Sequence, residues 1–328
     1  MFRNTVIPFI ILFPLIIVSS CFSKVTISVL EPGIYTLPSS VQKLTIYSRP
    51  GMQVTPGLFD SITDLPFDRE TDINSLRQGY LDGVYEIMSV SPRFKKVVLS
   101  DTAFDKLLSF GNLTWKSVDR ICSHDTSDAL LFLWKAVSYT SRENASSFSW
   151  QPDYLDLSHI LNHSNWMFFK PVTHQQLASY TYNDTVSVAP ELFTDPDNIE
   201  DVLYQNCYVM GKAFGEKLCP HWQEVERIMY VGPGRELRKA TAFTADDKWV
   251  DAGAIWDQQA ETPNKKQAYR AAFNLALAYE RDDILDQAIL WIGYADSLNS
   301  TGASSAYKKI LEGRLKMKPL LDEQMAGN

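Results

Sequence analysis

The histidines, carboxylates and cysteines are the first places to look for chemistry. His159 and His163 stand four apart in His-Ile-Leu-Asn-His, a spacing that on a helix turns two imidazoles toward one metal ion. Ile160 occupies the place where a zinc peptidase carries its glutamate base, and the neighbouring Asn and Ser residues give the stretch the character of a loop or capped turn, so no metal is expected. His124-Asp125 joins a base to an acid, but side chains adjacent in sequence usually point apart. Glu224 and Glu226 alternate and would share one face of a strand, most simply as solvated carboxylates. Gly232-Pro233-Gly234-Arg235-Glu236 precedes a helix start, where free N–H groups can hold an anion, although such a stretch is more often a plain turn. No GxSxG, Walker loop, GxGxxG, CxxC or HExxH occurs. We therefore expect no catalytic residue, no cofactor and no enzyme activity.

Cys122, Cys207 and Cys219 read as small buried hydrophobes. Cys207 and Cys219 fall in one predicted helix, and at 1.5 Å per residue they would lie ~18 Å apart, beyond disulfide reach. Cys21 is different. Arg3 is the only charge before an apolar run from Val6 to Val18. That run has the length of a signal-peptide core and falls short of the ~20 residues of a spanning helix. It ends in Val18-Ser19-Ser20-Cys21, which resembles the bacterial lipobox. Cleavage after Ser20 would leave Cys21 as an acylated, palmitate-bearing N-terminus that tethers an otherwise soluble chain to one leaflet. Phe22-Ser23 follows in place of an inner-membrane retention aspartate. By analogy with Gram-negative lipoproteins, the expected location is the periplasmic side of the outer membrane.

The rest must be folded protein. The chain has 328 residues, 45% of them hydrophobic, 12% aromatic and 21% charged, enough apolar area for two domains and too much for disorder. A formal charge of −8 without a basic run argues against nucleic acid as a partner. Four Asp-Ser/Thr triplets, at Asp60, Asp101, Asp184 and Asp296, resemble a short bacterial O-glycosylation acceptor.

The elements that would position these residues fall into two textures. Strand patterns over 25–30, 41–49, 95–100 and 128–139 alternate with helical patterns over 72–90 and 104–122. A Ser/Asn/His-rich stretch, 140–165, reads as a long loop. Two strands at 166–170 and 174–182, a helix from Asp195 to Cys219 opened by Pro196, and a strand over 222–231 complete an α/β (α+β) domain with a mixed sheet. The domains are thus a lipoprotein-type signal peptide over 1–20, the α/β domain over 21–233, and helices over 234–328.

The helical end repeats. Shifting by 36 places Trp249 on Leu285, Ala252 on Ala288 and Trp256 on Ile292, close to the ~34-residue tetratricopeptide period. A plain helical hairpin bundle is the alternative. Trp249, Trp256, Tyr279 and Trp291 are the residues we expect to serve a protein partner, although aromatics at helical spacing are more often core.

Taken together, Cys21, the segments Tyr35–Arg49, Cys122–Leu133 and Gly215–Tyr230, Leu237-Arg238-Lys239-Ala240, and Trp249–Glu280 ending in AAFNLALAYE resemble an uncharacterised family of Gram-negative lipoproteins. The resemblance implies an N-terminal domain similar to the curli-secretion lipoprotein and TolB N-terminal folds, followed by tetratricopeptide-like helices. It carries no established activity and transfers no catalytic residue. The expected role is a lipid-anchored scaffold that binds a protein through its C-terminal helices. The alternatives are an oligomeric export component resembling the curli-secretion lipoprotein and an envelope hydrolase with a site built from the 140–165 and 183–200 loops.

Overall fold

The computed structural model describes residues 22–48, 69–100, 113–142, 158–188 and 196–326. Cys21, the segment before it, and residues 143–157 and 189–195 of the two loops invoked for a hydrolase lie outside the described residues. In chain order the elements are β1 (Phe22–Glu31), β2 (Lys43–Ser48), α1 (Arg69–Val90), β3 (Lys96–Leu99), α2 (Trp115–Asp125), β4 (Ala129–Arg142), β5 (Ser158–Lys170), β6 (Gln175–Val188), α3 (Pro196–Leu218) and β7 (His221–Tyr230). Five helices follow: α4 (Arg235–Ala245), α5 (Trp249–Ala260), α6 (Lys265–Arg281), α7 (Leu285–Leu298) and α8 (Gly302–Met325). The fold is therefore an α/β region with a mixed sheet followed by an all-helical region. Two compact units emerge: the described residues of Met1–Ser28 with Glu224–Gly313, and Val29–Gln223 with Arg314–Asn328.

In the α/β unit the sheet order is β3-β2-β4-β5-β6. β2 runs parallel to both β3 and β4, and β4, β5 and β6 form an antiparallel meander. Parallel neighbours need crossover connections, which α1 and α2 supply. One sheet face packs Leu44, Ile46, Leu131, Leu133, Trp166 and Phe168 beneath α1 and α3. The other packs Tyr47, Leu130 and Phe132 on Val118, Ile121 and Cys122 of α2. β4 is covered on both sides over Ala129–Leu133, which is why ALLFL reads as a continuous apolar run rather than an alternating one.

α1 and α3 touch backbone to backbone. A Cβ on Gly83 would stand 2.1 Å from the Tyr208 carbonyl oxygen, and one on Gly211 would stand 2.4 Å from that of Tyr80. Only hydrogen fits at these two crossings. From the end of α8, the Gln324 side chain donates to the Gly33 carbonyl at 2.8 Å and accepts from the Gly33 N–H at 3.0 Å.

The structure corrects one element. The stretch expected to be loop is strand from Ser158 onward, running with β4 and β6 through to Lys170. Its polar residues misled because those that point inward have partners. Asn162 and Asn206 exchange amide hydrogen bonds at 3.2 and 2.9 Å, and Trp166 donates its indole N–H to Ser164 at 3.1 Å. His159 and His163 therefore sit on a strand and not on a turn or helix, about 13 Å apart along it. His163 spends its two ring nitrogens on Asn183 and Asn165.

Candidate functional site

The 36-residue period is written in the backbone. Asp247 and Asp283 both adopt the left-handed conformation, with φ of 58° and 56°. Around them the hydrogen bonds correspond one to one. The Asp246 and Asp282 amides donate to Ala242 and Ala278, the Asp247 and Asp283 amides to Thr244 and Glu280, and the Lys248 and Ile284 amides to Phe243 and Tyr279, all between 2.8 and 3.2 Å. Side chains follow the same register. Trp249 and Leu285, Ala252 and Ala288, and Trp256 and Ile292 are all buried, the alanines where a larger side chain would hold neighbouring helices apart. Arg281 belongs to the second turn and reaches the first, pairing with Asp247 at 3.1 Å and lying 5.1 Å from the Trp249 ring centroid.

This register separates the four aromatic residues expected to meet a partner. Trp249 and Trp256 pack edge to face at 6.3 Å inside the array, so they build the surface rather than form it. Tyr279 and Trp291 are half-buried. Beside Trp291, Leu290 is 64% exposed and Tyr294 42% exposed. Leu290 and Tyr294 are one helical turn apart and project from the same stripe of α7, and the Trp291 and Tyr294 rings meet edge to face at 6.0 Å. Thirty-six residues earlier, the equivalent positions hold Ala254, Ile255 and Gln258. The repeat position therefore does not call for Leu290, whereas the Tyr294 hydroxyl donates to the Ala260 carbonyl at 3.3 Å and so ties α7 to the end of α5 while its ring stays exposed. Sequence reasoning picked out Trp291 and passed over Leu290 and Tyr294, because periodicity marks core positions and not the stripe beside them.

Beneath the array lies a closed polar core. Glu280 is fully buried, and its carboxylate accepts two guanidinium hydrogen bonds from Arg227, at 2.8 and 2.7 Å, and one from the Tyr307 hydroxyl at 2.6 Å. Burial alone would lower the Arg227 pKa, but the Glu280 bonds outweigh it and hold the pKa above the ordinary arginine value. Asn274 closes the backbone of β7 by accepting from the Tyr230 N–H at 2.8 Å and donating to its carbonyl at 2.9 Å. Burial, then the Tyr269 hydroxyl, pushes the Tyr230 phenol well above its usual range. Each of these groups is satisfied within the fold, and their chemistry is structural.

In the α/β unit, His124 and Asp125 do not point apart: Nδ1 of His124 lies 2.8 Å from Oδ1 of Asp125. The other Asp125 oxygen accepts from the Thr45 hydroxyl at 3.1 Å, so a buried aspartate orients an exposed imidazole. The nearby Cys122 thiol is pushed up to about 11, chiefly by burial, and is no nucleophile at neutral pH. Glu224 and Glu226 are both exposed on one face of β7. Gly234 caps α4, and a Cβ on Gly232 would overlap Leu237 at 2.2 Å, so close packing accounts for that glycine. Among the described residues, no three His, Cys, Asp or Glu side chains gather as metal ligands would.

One polar cluster has no sequence signature. Ser48 ends β2 and Ser100 follows β3, where the Ser100 amide bonds the Ile46 carbonyl at 3.0 Å. Arg77 of α1 donates to the Ser48 hydroxyl, and all three residues are buried. Among the described residues the Ser100 hydroxyl oxygen has no hydrogen-bond partner. Because α1 and α2 lie on opposite faces, the carboxyl ends of β2 and β3 form a topological switch point, the usual ligand position in open α/β sheets. A guanidinium and two hydroxyls suit recognition of an oxygen-rich group. Three separate elements contribute one residue each, so no spacing could have marked the cluster.

The family described as Domain of unknown function (DUF8603) matches residues 59–230, more than half of the chain. The chain belongs to that family. The DUF8603 match runs from just before α1 to the end of β7, and a second family, Domain of unknown function (DUF6340), matches residues 238–313 in the helical array. No curated protein matches the chain. Among solved structures, it is similar to a neuraminyllactose-binding hemagglutinin homolog from Helicobacter pylori, at 9% identity and a TM-score of 0.31 over 54% of this chain and 84% of that one. It is also similar to a minor lipoprotein from Acinetobacter baumannii, at 11% identity and a TM-score of 0.24 over 54% and 87% of the two chains. The PelC dodecamer from Paraburkholderia phytofirmans follows, at 9% identity and a TM-score of 0.19 over 57% and 97%. Among the described residues no helix is long and apolar enough to cross a membrane.

Proposed function

We propose that this DUF8603 member is a lipid-anchored, periplasm-facing envelope protein whose tetratricopeptide-like helices dock a protein partner, with no reaction of its own. The observation that carries the docking role is the Leu290–Trp291–Tyr294 patch on α7. It is apolar and half-exposed, and its counterparts one repeat earlier are Ala254, Ile255 and Gln258. Exposed apolar side chains grouped in one patch mark interaction sites, and tryptophan and tyrosine are among the residues enriched at interface hot spots. Lipid attachment at Cys21 rests on the lipobox resemblance of Val18–Cys21. A scaffold accounts for the meander better than a membrane-crossing hairpin does. Thr181, Asn183, Asp184, Thr185 and Ser187 are all exposed along β6, whereas a lipid-facing strand presents an apolar band.

Crosslinked affinity purification from native envelopes tests the reading, with the full chain compared to Leu290→Ser/Tyr294→Ser and to Val250→Ser. Point variants are required because shortening α8 would remove Gln324 from Gly33. A partner kept by the full chain and by Val250→Ser, but lost from the double variant, is the expected result. Equal recovery by all three folded proteins would sink the docking role.

A further inference from the structure

The residue that would carry the lipid has no linker after it. Strand β1 begins at Phe22, the residue immediately following Cys21, so one Cα–Cα step of about 3.8 Å separates the acylated residue from regular structure. Whatever β1 belongs to must lie at the bilayer surface. β1 pairs with β7 in a two-stranded ribbon, and its residues up to Ser28 belong to the same compact unit as Glu224–Gly313.

The two faces of this ribbon differ. One packs inward: Ile27 and Met229 are buried, Thr244 donates to the Met229 sulfur, and Arg227 reaches Glu280. The other carries Phe22, Lys24 and Thr26 from β1, and Glu224, Glu226 and Ile228 from β7, all exposed. Alternation places each trio on one side of its strand. The ion pair from Lys24 to Glu226, at 2.7 Å, shows that both trios look the same way. Within this unit two large apolar side chains stand on this outer face, Phe22 at 49% exposure and Ile228 at 36%. Its one cation is matched by an adjacent carboxylate, so the face offers apolar contact without a basic patch.

We infer that the outer face of the β1–β7 ribbon lies on the phospholipid surface, with Phe22 and Ile228 seated at the boundary between headgroups and acyl chains. The helical unit is thereby held against the membrane. This inference rests on acylation of Cys21. The occupant follows from where the anchored residue sits, since an acyl chain one residue from Phe22 already fixes that ring at the depth where interfacial aromatics collect. With Lys24 paired and Glu224 adding a negative charge, contact should gain nothing from anionic lipid.

The test uses the full chain, purified with its native N-terminus, after mass spectrometry has established whether Cys21 is acylated. A nitroxide is placed at Ile228→Cys in one preparation and at Val250→Cys in another; Cys122, Cys207 and Cys219 are buried and do not compete for the label. Both are reconstituted in phosphatidylcholine vesicles. The label at 228 should lose several-fold in collision rate with a water-soluble nickel chelate and gain collisions with oxygen, relative to the same protein in detergent-free buffer with the acyl chains removed. The label at 250 should change little. If Cys21 is acylated and the two labels stay equally open to the chelate, the membrane-facing ribbon is wrong while the anchor stands. If Cys21 carries no acyl chain, anchor and ribbon inference fall together.

Discussion

Replacing Glu280 by glutamine keeps the shape of the side chain and removes its charge. In the native protein both carboxylate oxygens accept from Arg227, and one also accepts from Tyr307, with the Glu280 side chain fully buried and Arg227 only 13% exposed. Glutamine offers one acceptor oxygen. Its NH2 group would face a guanidinium N–H or the tyrosine O–H, donor against donor. Breaking a buried ion pair by removing one partner costs about 3–5 kcal/mol, because the remaining charge is left desolvated. With a urea slope of ~1–3 kcal/mol per molar, the transition of the helical unit should move down by at least ~1 M. Trp249, Trp256 and Trp291 lie in that unit and the other five tryptophans in the other, so fluorescence is read in a background with those five replaced by phenylalanine and shown to be folded. The double variant Arg227→Met/Glu280→Leu removes both charges and should recover much of the loss. A glutamine variant within about 1 kcal/mol of the native protein, the range of a surface pair, would refute the reasoning. So would a double variant no better than the single one.

Three further outcomes are expected. Gly83→Ala must push its new methyl against the Tyr208 carbonyl, 2.1 Å away, and should abolish the α1–α3 contact and with it cooperative folding in circular dichroism melts, whereas Gly253→Ala on α5, with nothing within 4 Å, should gain about 0.5–1 kcal/mol. The thiols of Cys122 and Cys219, pushed up to about 11 and about 12 mainly by burial, should resist Ellman's reagent until the protein unfolds. Folding favours their neutral form, so this stabilising contribution is complete below the ordinary thiol pKa of 9.0 and is lost as pH rises toward those values. Asp296 is held below its ordinary value first by the Ser304 hydroxyl and then by Ser300 and Ser305. Its support for the α7–α8 turn should be present above the ordinary carboxylate pKa and lost as pH falls through its lowered one, and Ser304→Ala should raise the midpoint in a carboxyl NMR titration.

The helical region was the most legible part of the sequence, because its register depends on local spacing: Trp249, Ala252 and Trp256 recur as Leu285, Ala288 and Ile292, and burial follows suit. Elements 72–90, 95–100, 128–139 and the helix opened by Pro196 were legible for the same reason. The first half of β5 was not. Asn162 and Ser164 are inward residues whose polarity is cancelled by Asn206 and by the Trp166 indole, partners that adjacency cannot supply. The pairing of β1 with β7 joins residues some two hundred positions apart, as the Lys24–Glu226 bond shows, and no local pattern announces it. The glycines of α1 and α3 left a readable trace, spaced by four at 79 and 83 and again at 211 and 215, a spacing that suits close helix contact and was passed over. Of the four proposed contact aromatics, two became core, since a periodic tryptophan is chosen by the neighbouring helix before it is chosen by a partner.

The matched turns at Asp246-Asp247 and Asp282-Asp283 also bear on how such a chain can change over generations. A segment running from Lys248 to Asp283 begins just after one turn and ends on the other, and both turns make the same backbone hydrogen bonds. A tandem duplication of that block would meet itself at a junction the backbone already tolerates. Each added copy would bring a fresh counterpart of position 290, which faces solvent. The array can thus acquire new recognition stripes by copying, with the old one left intact while the new one drifts.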